Sequence, residues 1–332
     1  MPETWLVTGG CGFIGTSLLS KLVEVDKSKN IIVLDDLSVG READLNRVIK
    51  FDEVKLKDLP YSSDSQYRLV IGDITDRGLV NSVVSNVDVI IHLAANAGVP
   101  QSIDDPVADF NANVIGTFNL LDAARSSQVD KFIFASSSAP LGETEPPVHE
   151  EIAPHPISPY GASKLAGEGY CSAFYRSFGL ETVALRFGNV FGKHSLHKQS
   201  VVAKFAKQAI DGDTLEIYGD GNQTRDFIYV DDLVRAIILS VETEGIGGEI
   251  FQIASNLETT VSELCVALCE ELEQLGVNSI QVVHREIRAG DMKRNFSNTQ
   301  KAKEILGWQP EYDLRTGLKE ISKHFVSTYG RV

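Results

Sequence analysis

Long apolar runs are missing from this 332-residue chain. None approaches the ~20 residues that a membrane-spanning helix needs, so no membrane partner is expected. An excess of basic residues is missing as well. The 31 Lys and Arg against 46 Asp and Glu leave a net charge of −15, which argues against DNA, RNA or a phospholipid surface as partner. An anionic small molecule remains compatible, provided that Arg or Lys is placed locally to hold it. Cysteine is scarce: Cys11, Cys171, Cys265 and Cys269 form no CxxC pair. Cys265 and Cys269 fall four apart in an expected helix and read as packing residues. The histidines show no HxxxH spacing, so no metal site is expected. Free thiols without a framework fit a reducing, cytoplasmic setting. Internal repeats and low-complexity linkers are also absent. Met1 to Trp5 runs directly into a strand, and no signal peptide is expected before the fold.

What the chain does have is an ordinary globular balance, 43% hydrophobic and 23% charged. Short apolar runs read as strands at Trp5–Thr8, Ile31–Asp35, Leu69–Gly72, Val87–Leu93, Lys131–Ala135 and Thr182–Arg186. Continuous apolar strands are expected where both faces are buried. Helical patterns lie between them; Val107, Phe110, Val114, Phe118 and Leu121 recur at spacings of three and four. Strand–helix alternation implies a parallel sheet with helices on both sides. Ser38 to Gln66 is charged and weakly periodic, and reads as a poorly defined helix and loop. Beyond Gly188 the pattern loosens, with strands at Phe227–Val230 and Ile250–Ala254 around a helix from Asp231, then a helical and mixed tail from Thr260. The expected division is 1–187 plus about 226–255 as a dinucleotide-binding domain, with 188–225 and 256–332 as the second domain.

The string Thr8-Gly9-Gly10-Cys11-Gly12-Phe13-Ile14-Gly15 follows a strand and opens a helix. Glycines here permit a tight turn and a close approach of backbone to a pyrophosphate, whose charge sits at the helix N-terminus. Asp35 and Asp36 end the next strand, 20 and 21 residues after Gly15, where a carboxylate accepts hydrogen bonds from a ribose. A carboxylate there repels a 2′-phosphate, which favours NAD over NADP. Asp73 ends the third strand and reads either as an adenine contact or as a turn residue.

Tyr160 and Lys164, in Ser158-Pro159-Tyr160-Gly161-Ala162-Ser163-Lys164, share one helix face. An ammonium nearby lowers a phenol's pKa from ~10, so such a tyrosine can take a proton from a hydroxyl while hydride leaves the same carbon. Ser136-Ser137-Ser138 ends the strand ahead of this pair.

Together these motifs resemble the extended short-chain dehydrogenases/reductases, and within them the NAD-dependent sugar epimerase/dehydratase family typified by UDP-glucose 4-epimerase. The matching pieces run the length of the chain: TGGCGFIG from Thr8, Asp35-Asp36, GDITD from Gly72, HLAA from His92, NVIGT from Asn113, the serine run, YGASK from Tyr160, LRFGNVFG from Leu185, RDFIYVDD from Arg225 and RAGD from Arg288. The resemblance implies an α/β fold, a Rossmann doubly wound parallel sheet with a smaller C-terminal substrate-binding domain. It implies NAD held by Gly9, Gly12, Phe13, Ile14, Gly15, Asp35, Asp36, Asp73, Ile74, Leu93, Ala94, Ala95 and Asn113, together with Tyr160 and Lys164. Counting back from Gly142, the end of the family's (S/T)xxVYG element, puts the catalytic hydroxyl at Ser137, beside Tyr160 as base and Lys164 on the nicotinamide ribose. Ser137, Ser138, Asn189, Val201, Tyr218, Arg225, Arg288, Asp291 and Asn295 match positions toward a UDP-sugar. Two arginines suit a diphosphate. Relatives dimerise through the helix near 107–125 and the one beginning at Tyr160, which implies a homodimer; Phe174 and Tyr175 are candidates for that contact. Two departures stand out: Pro140-Leu141 replaces the usual Val-Tyr before Gly142, and Lys193 replaces the Pro after the NVxG element.

Within the family, the 4,6-dehydratases carry Asp-Glu just after the catalytic Thr, and the sugar-acid decarboxylases carry Glu at the second position. This chain has Ser138 and Ala139, and alanine cannot transfer a proton. The simplest outcome is 4-epimerisation through a transient 4-keto sugar, with a dehydratase or a 4-keto reductase using Ser138 as the alternative and a non-catalytic NAD-binding regulator ranked last. Asn295, where the family has a Tyr that restricts the pocket to plain hexoses, extends the expected substrates from UDP-glucose/galactose to UDP-N-acetylhexosamines; a surface Asn with no such role is the alternative. The motifs are also compatible with UDP-glucuronate.

Overall fold

A computed structural model describes residues 3–55, 65–195, 200–286 and 293–329. It falls into two compact units: Met1–Glu143 with Glu150–Phe187 and Val234–Phe251, and Thr144–His149 with Gly188–Leu233 and Gln252–Val332. The second unit therefore takes in 226–233 and 252–255, which the expected boundaries assigned to the first, and the short piece Thr144–His149.

In chain order the strands are β1 (Thr4–Thr8), β2 (Asn30–Asp35), β3 (Asp52–Glu53), β4 (Tyr67–Ile71), β5 (Val89–His92), β6 (Lys131–Ser137), β7 (Glu181–Phe187), β8 (Asn189–Phe191), β9 (Leu215–Tyr218), β10 (Thr224–Arg225), β11 (Phe227–Tyr229), β12 (Glu249–Ile253), β13 (Thr259–Thr260) and β14 (Val282–Arg285). One eight-stranded sheet has the order β12-β7-β6-β5-β1-β2-β4-β3. Strands β1 to β7 run parallel to one another in it. The winding reverses between β1 and β5, which makes this a Rossmann-like α/β sheet and sets its switch point there. The central strands are apolar throughout: Leu6, Val7, Ile32, Val33, Ile90, Ile91, Phe132 and Ile133 are all buried, as helices covering both faces require.

The first unit's helices are α1 (Phe13–Val25), α2 (Glu42–Val48), α3 (Arg77–Val84), α4 (Val99–Asp104), α5 (Pro106–Phe110), α6 (Thr117–Ser126) and α7 (Pro159–Phe178). A π-helical turn, Asn111–Gly116, joins α5 to α6, and Gly116 lets it pack closely on the Ile74 side chain. Helix α7 starts at Ser158, whose side chain caps Gly161 N, with Pro159 at the first position, and stops at left-handed Gly179.

The second unit holds α8 (Val201–Asp211), α9 (Val230–Glu242, shared with the first), α10 (Val261–Glu273), α11 (Gln300–Leu306) and α12 (Leu314–Tyr329). Three two-stranded ladders, β10 with β13, β11 with β8 and β14 with β9, complete it. The strand expected at Phe227–Val230 is present but pairs with β8 rather than joining the large sheet. Its core joins Phe205, Leu215, Leu264, Leu268, Ile321 and Phe325. Buried Asp226 ties this unit together, accepting from Ser255 N and Oγ, Asn256 N and Ser297 N. Among the described residues no helix is long and apolar enough to cross a membrane.

Candidate active site

The dinucleotide candidates collect at the C-terminal ends of β1, β2, β4 and β5, the edge where open α/β sheets bind ligands. Gly9 takes φ +68°, and a Cβ there would lie 2.7 Å from Ala94 N and 2.9 Å from the Leu93 carbonyl carbon. Only glycine lets the loop after β1 pass that close to the loop after β5. A Cβ on Gly15 would lie 2.5 Å from Gly9 O, so the third glycine seats α1 on the turn. Gly12 differs. Its backbone is extended, and the one atom a Cβ would approach is Gly9 O at 3.2 Å. The fold around residue 12 thus leaves room for little more than a Cβ, without the backbone clashes seen at Gly9 and Gly15. No side chain caps the start of α1 and its first turn carries no acid, which leaves its N–H dipoles to an anion. The arrangement fits a dinucleotide pyrophosphate.

The two acids after β2 have different tasks. Asp35 is buried, and its oxygens accept from Cys11 N (2.9 Å) and Leu37 N (2.9 Å), so it braces the glycine turn; burial raises its pKa against those bonds. Asp36 is exposed and accepts from Ser38 N and Oγ. Asp73 is an exposed turn residue, one oxygen on Thr75 N, while Ile74 is buried in the core. Leu93, Ala94 and Ala95 follow β5, with Leu93 N on Thr8 O and Ala94 N on Thr8 Oγ1. Asn113 fastens the same loop: its side chain accepts from Asn96 N and donates to Asn96 O.

Ser137 ends β6, and Tyr160 and Lys164 stand on the first turns of α7. Ala139 N donates to Ser137 Oγ at 3.1 Å, and the Ser137 hydroxyl acts to lower the Tyr160 pKa. Lys164 is 3% exposed; its Nζ donates to Ala135 O at 2.8 Å and stands 5.9 Å from the Tyr160 ring centre. Burial pushes its ammonium down to about 8, with Asp109, Glu168 and Cys171 acting the other way. Burial raises the Tyr160 pKa and Asp109 adds to the rise, while the lowering contribution comes from the Ser137 hydrogen bond.

Pro140 and Leu141, the departures from the family pattern, form a single 3-10 turn after Ser138, and both are buried. That turn packs on the start of α7, where a Cβ on Gly161 would lie 2.6 Å from Ala139 O. Gly161 thus sets how closely Ser137 and Tyr160 approach.

Three residues of this neighbourhood carried no sequence assignment of their own. His92 is buried between Thr8 Oγ1 (2.8 Å) and Thr117 Oγ1 (2.9 Å), its pKa pushed down to about 3 by burial and the Lys164 charge. Glu168 and Arg186, each 2% exposed, pair bidentately at 2.8 Å, and Ser136 Oγ donates to the same carboxylate. The signal for Glu168 was its position one turn after Lys164.

Of the substrate candidates, Ser137 ends β6 and Ser138 follows it in the first unit, while the others belong to the second. Asn189 opens β8, exposed, with its N–H on Asp226 O. Val201 begins α8 and packs on the core. Tyr218 ends β9, its hydroxyl on Glu216 and its ring under the Lys204 ammonium. Arg225 lies in β10 and donates to Thr224 O. Asn295 is 8% exposed, its N–H on Thr224 Oγ1, so the surface alternative for it is set aside. Arg288 and Asp291 lie outside the described residues. Phe174 is buried against Phe118, Tyr170 and Phe178, which fits core packing, and half-buried Tyr175 lies beside Gly247 and Gly248.

Residues 5–254 match the model of the NAD dependent epimerase/dehydratase family. The chain belongs to that family. Relatives extend the likeness over the whole length. The UDP-glucose 4-epimerase of Mycolicibacterium smegmatis is 34% identical over 325 residues, 96% of this chain and 97% of that one. The structure of the Thermotoga maritima UDP-glucose 4-epimerase with UDP-glucose superposes with a TM-score of 0.86 at 34% identity, covering 98% and 99% of the two chains. The UDP-N-acetylglucosamine 4-epimerase of Methanobrevibacter ruminantium, solved with UDP-N-acetylmuramic acid, gives the same TM-score at 30% identity, covering 98% and 99%. In this family NAD is the redox partner, and the glycine turn, with its uncapped helix start, suits it.

Proposed function

We propose that the protein is an NAD-dependent 4-epimerase of UDP-sugars. One observation carries the reading: Ser137, Tyr160 and Lys164 are assembled on one helix–strand junction, while the position that other family reactions fill with an acid is Ala139. Bound at the glycine turn, NAD supplies the acceptor and donor of hydride. The protein's own part is acid–base and positional. Ser137 orients the sugar C4 oxygen, and Tyr160 removes the C4 hydroxyl proton and later restores it. Lys164 holds the ribose of the cofactor. With no further acid or base, the 4-keto sugar turns over and the C4 centre inverts.

Gly9, Gly12, Phe13, Ile14, Gly15, Asp36, Asp73 and the Leu93–Ala95 loop are assigned to NAD, with Asp35 and Asn113 bracing the loops that carry it. Asn189, Val201, Tyr218, Arg225, Arg288, Asp291 and Asn295 are assigned to the UDP-sugar. Asn295, less bulky than tyrosine, favours UDP-N-acetylhexosamines alongside UDP-glucose and UDP-galactose. The test is an NMR panel of UDP-glucose, UDP-GlcNAc and UDP-glucuronate with purified protein and no added cofactor. Inversion at C4 without change of mass is expected, and Tyr160→Phe abolishes it. A dehydrated product, or an active Tyr160→Phe variant, refutes the reading.

The same reading includes a homodimer. Helices α4, α5 and α7 and the π-helical turn leave Ile103, Val107, Phe110, Ile115, Tyr170 and Phe178 exposed in the first unit, an apolar share unusual for a free surface. Val107→Glu is expected to yield monomers in sedimentation velocity; an unchanged dimer, or a monomeric wild type, refutes it. The four free cysteines suit the cytoplasmic setting.

A further inference from the structure

Asp109 is a carboxylate with no part in the roles assigned above, yet it is 1% exposed and stands beside the Tyr160–Lys164 helix. Asn113 Nδ2 donates to its Oδ1 at 2.8 Å. The same amide, which also donates to Asn96 O, reaches Ser163 Oγ in a longer, shared contact at 3.2 Å, and Ser163 Oγ donates to the Tyr160 backbone carbonyl at 3.0 Å. Three hydrogen bonds thus join the carboxylate to the helical turn that carries the base. Asn113, four residues after Asp109, lies in the π-helical turn, and such turns recur at functional sites. Between α5 and α7 lies a cavity of about 270 Å³ whose wall holds Asp109 and Ser163 among apolar residues such as Phe110, Val114, Ala162 and Ala166. Walls of this kind screen a charge poorly.

The other ionisable groups around the pair are few. Lys164 is faced by Glu168 and Cys171 of α7 and by His92 of β5; Tyr160 is faced by Ser137 of β6 and by Asp109 itself. Asp104 and Asp105, at the α4–α5 junction, are exposed.

We propose that Asp109 is a positioning residue for the Tyr160–Lys164 pair: through Asn113 and Ser163 its buried carboxylate holds the α7 turn that carries both side chains and faces them from α5. The proposal rests on the reading of Tyr160 as the base. The electrostatics agree in sign, since Asp109 raises both Tyr160 and Lys164. That rise keeps Lys164 a cation despite its burial, and makes the Tyr160 phenolate the stronger base toward the sugar hydroxyl once it has formed.

The experiment is the pH profile of kcat/KM for the NAD-loaded enzyme with UDP-glucose, wild type against Asp109→Asn. Asparagine keeps an acceptor for Asn113 and removes the charge. Both limbs are expected to move to lower pH by about one pH unit, the low end of what a nearby charge produces. Asp109→Ser, smaller and also neutral, reads the same quantity should the amide disturb folding. Asp109→Glu is expected to restore the wild-type limbs. The tyrosinate ultraviolet absorbance of the loaded protein, with Tyr160→Phe as blank, gives the Tyr160 ionisation without turnover. Unmoved limbs together with an unmoved tyrosinate titration overturn the proposal, because a merely structural role lowers activity without shifting either. Should Tyr160→Phe prove active, the base reading falls while the absorbance titration still reports on Asp109.

Discussion

The glycine turn makes a prediction that separates what the fold needs from what the cofactor needs. Alanine at Gly9 meets two penalties. The backbone there is left-handed, at φ +68°, which costs a non-glycine residue about 1–2 kcal/mol. Its Cβ would also stand 2.7–2.9 Å from backbone atoms of Leu93 and Ala94. Carbon contacts settle near ~3.5–4.0 Å, so two loops at the switch point must part by roughly 1 Å. Overpacking of that kind adds about 1–3 kcal/mol. Gly9→Ala is therefore expected to destabilise the protein itself and to lose NAD. Gly12→Ala meets neither penalty. Its backbone is extended, and its Cβ would lie 3.2 Å from a single carbonyl oxygen, so the stability change stays within about 1 kcal/mol. A methyl group there nevertheless blocks the approach of a pyrophosphate to the backbone. The assay is a pair of measurements: urea midpoints on cofactor-stripped protein, and NAD released by acid from protein purified without added cofactor. Gly12→Ala should match the wild-type midpoint while carrying at least about tenfold less NAD, equivalent to ~1.4 kcal/mol of binding. Full NAD occupancy in Gly12→Ala, or a wild-type midpoint in Gly9→Ala, refutes the reasoning.

Two further outcomes follow from the packing around the catalytic trio. Gly161→Ala places a Cβ 2.6 Å from Ala139 O, driving the turn that supports Ser137 away from Tyr160. A misplacement near 1 Å costs on the order of a hundredfold in kcat, with NAD content unchanged; a wild-type kcat contradicts this. His92 gives a pH signature. Its folded pKa is about 3 against 6.5 for a free imidazole, so below pH 6.5 the unfolded chain takes up a proton that the fold refuses. Stability should fall by about 1.4 kcal/mol per pH unit from this group as pH drops from 6.5 toward 3. Urea midpoints of His92→Asn between pH 4 and 7 should lack that contribution, and an unchanged slope is the contrary result.

The sequence conveys most of the first unit because buried parallel strands write themselves as apolar runs: all six strands expected there are present within about two residues of their expected ends. Short ladders such as β8, β10, β13 and β14 do not, since two to four residues have no period to read. Asp52–Glu53 is the extreme case, an exposed charged pair at the sheet edge inside a stretch read as helix and loop. In the site, residue identities were legible from motif spacing, but the division of labour was not. Asp35 and Asp36 are neighbours of identical chemistry, and only burial separates the brace from the exposed acid. Asp109 escaped for a related reason: its effect on Tyr160 runs across two helices, and no local pattern encodes a through-space charge.

The place of β12 in the large sheet has a consequence for how the chain matures. Strands β1 to β7 are complete by Phe187, but the strand that covers the outer edge of β7 arrives only at Glu249–Ile253, after more than sixty intervening residues. During synthesis β7 presents unpaired N–H and C=O groups next to an apolar strand until that late segment emerges. Open edges of this sort recruit foreign strands, and pairings distant in sequence form slowly. The N-terminal half is thus a nascent sheet awaiting its border, and fragments ending near residue 187 are the species most prone to aggregate.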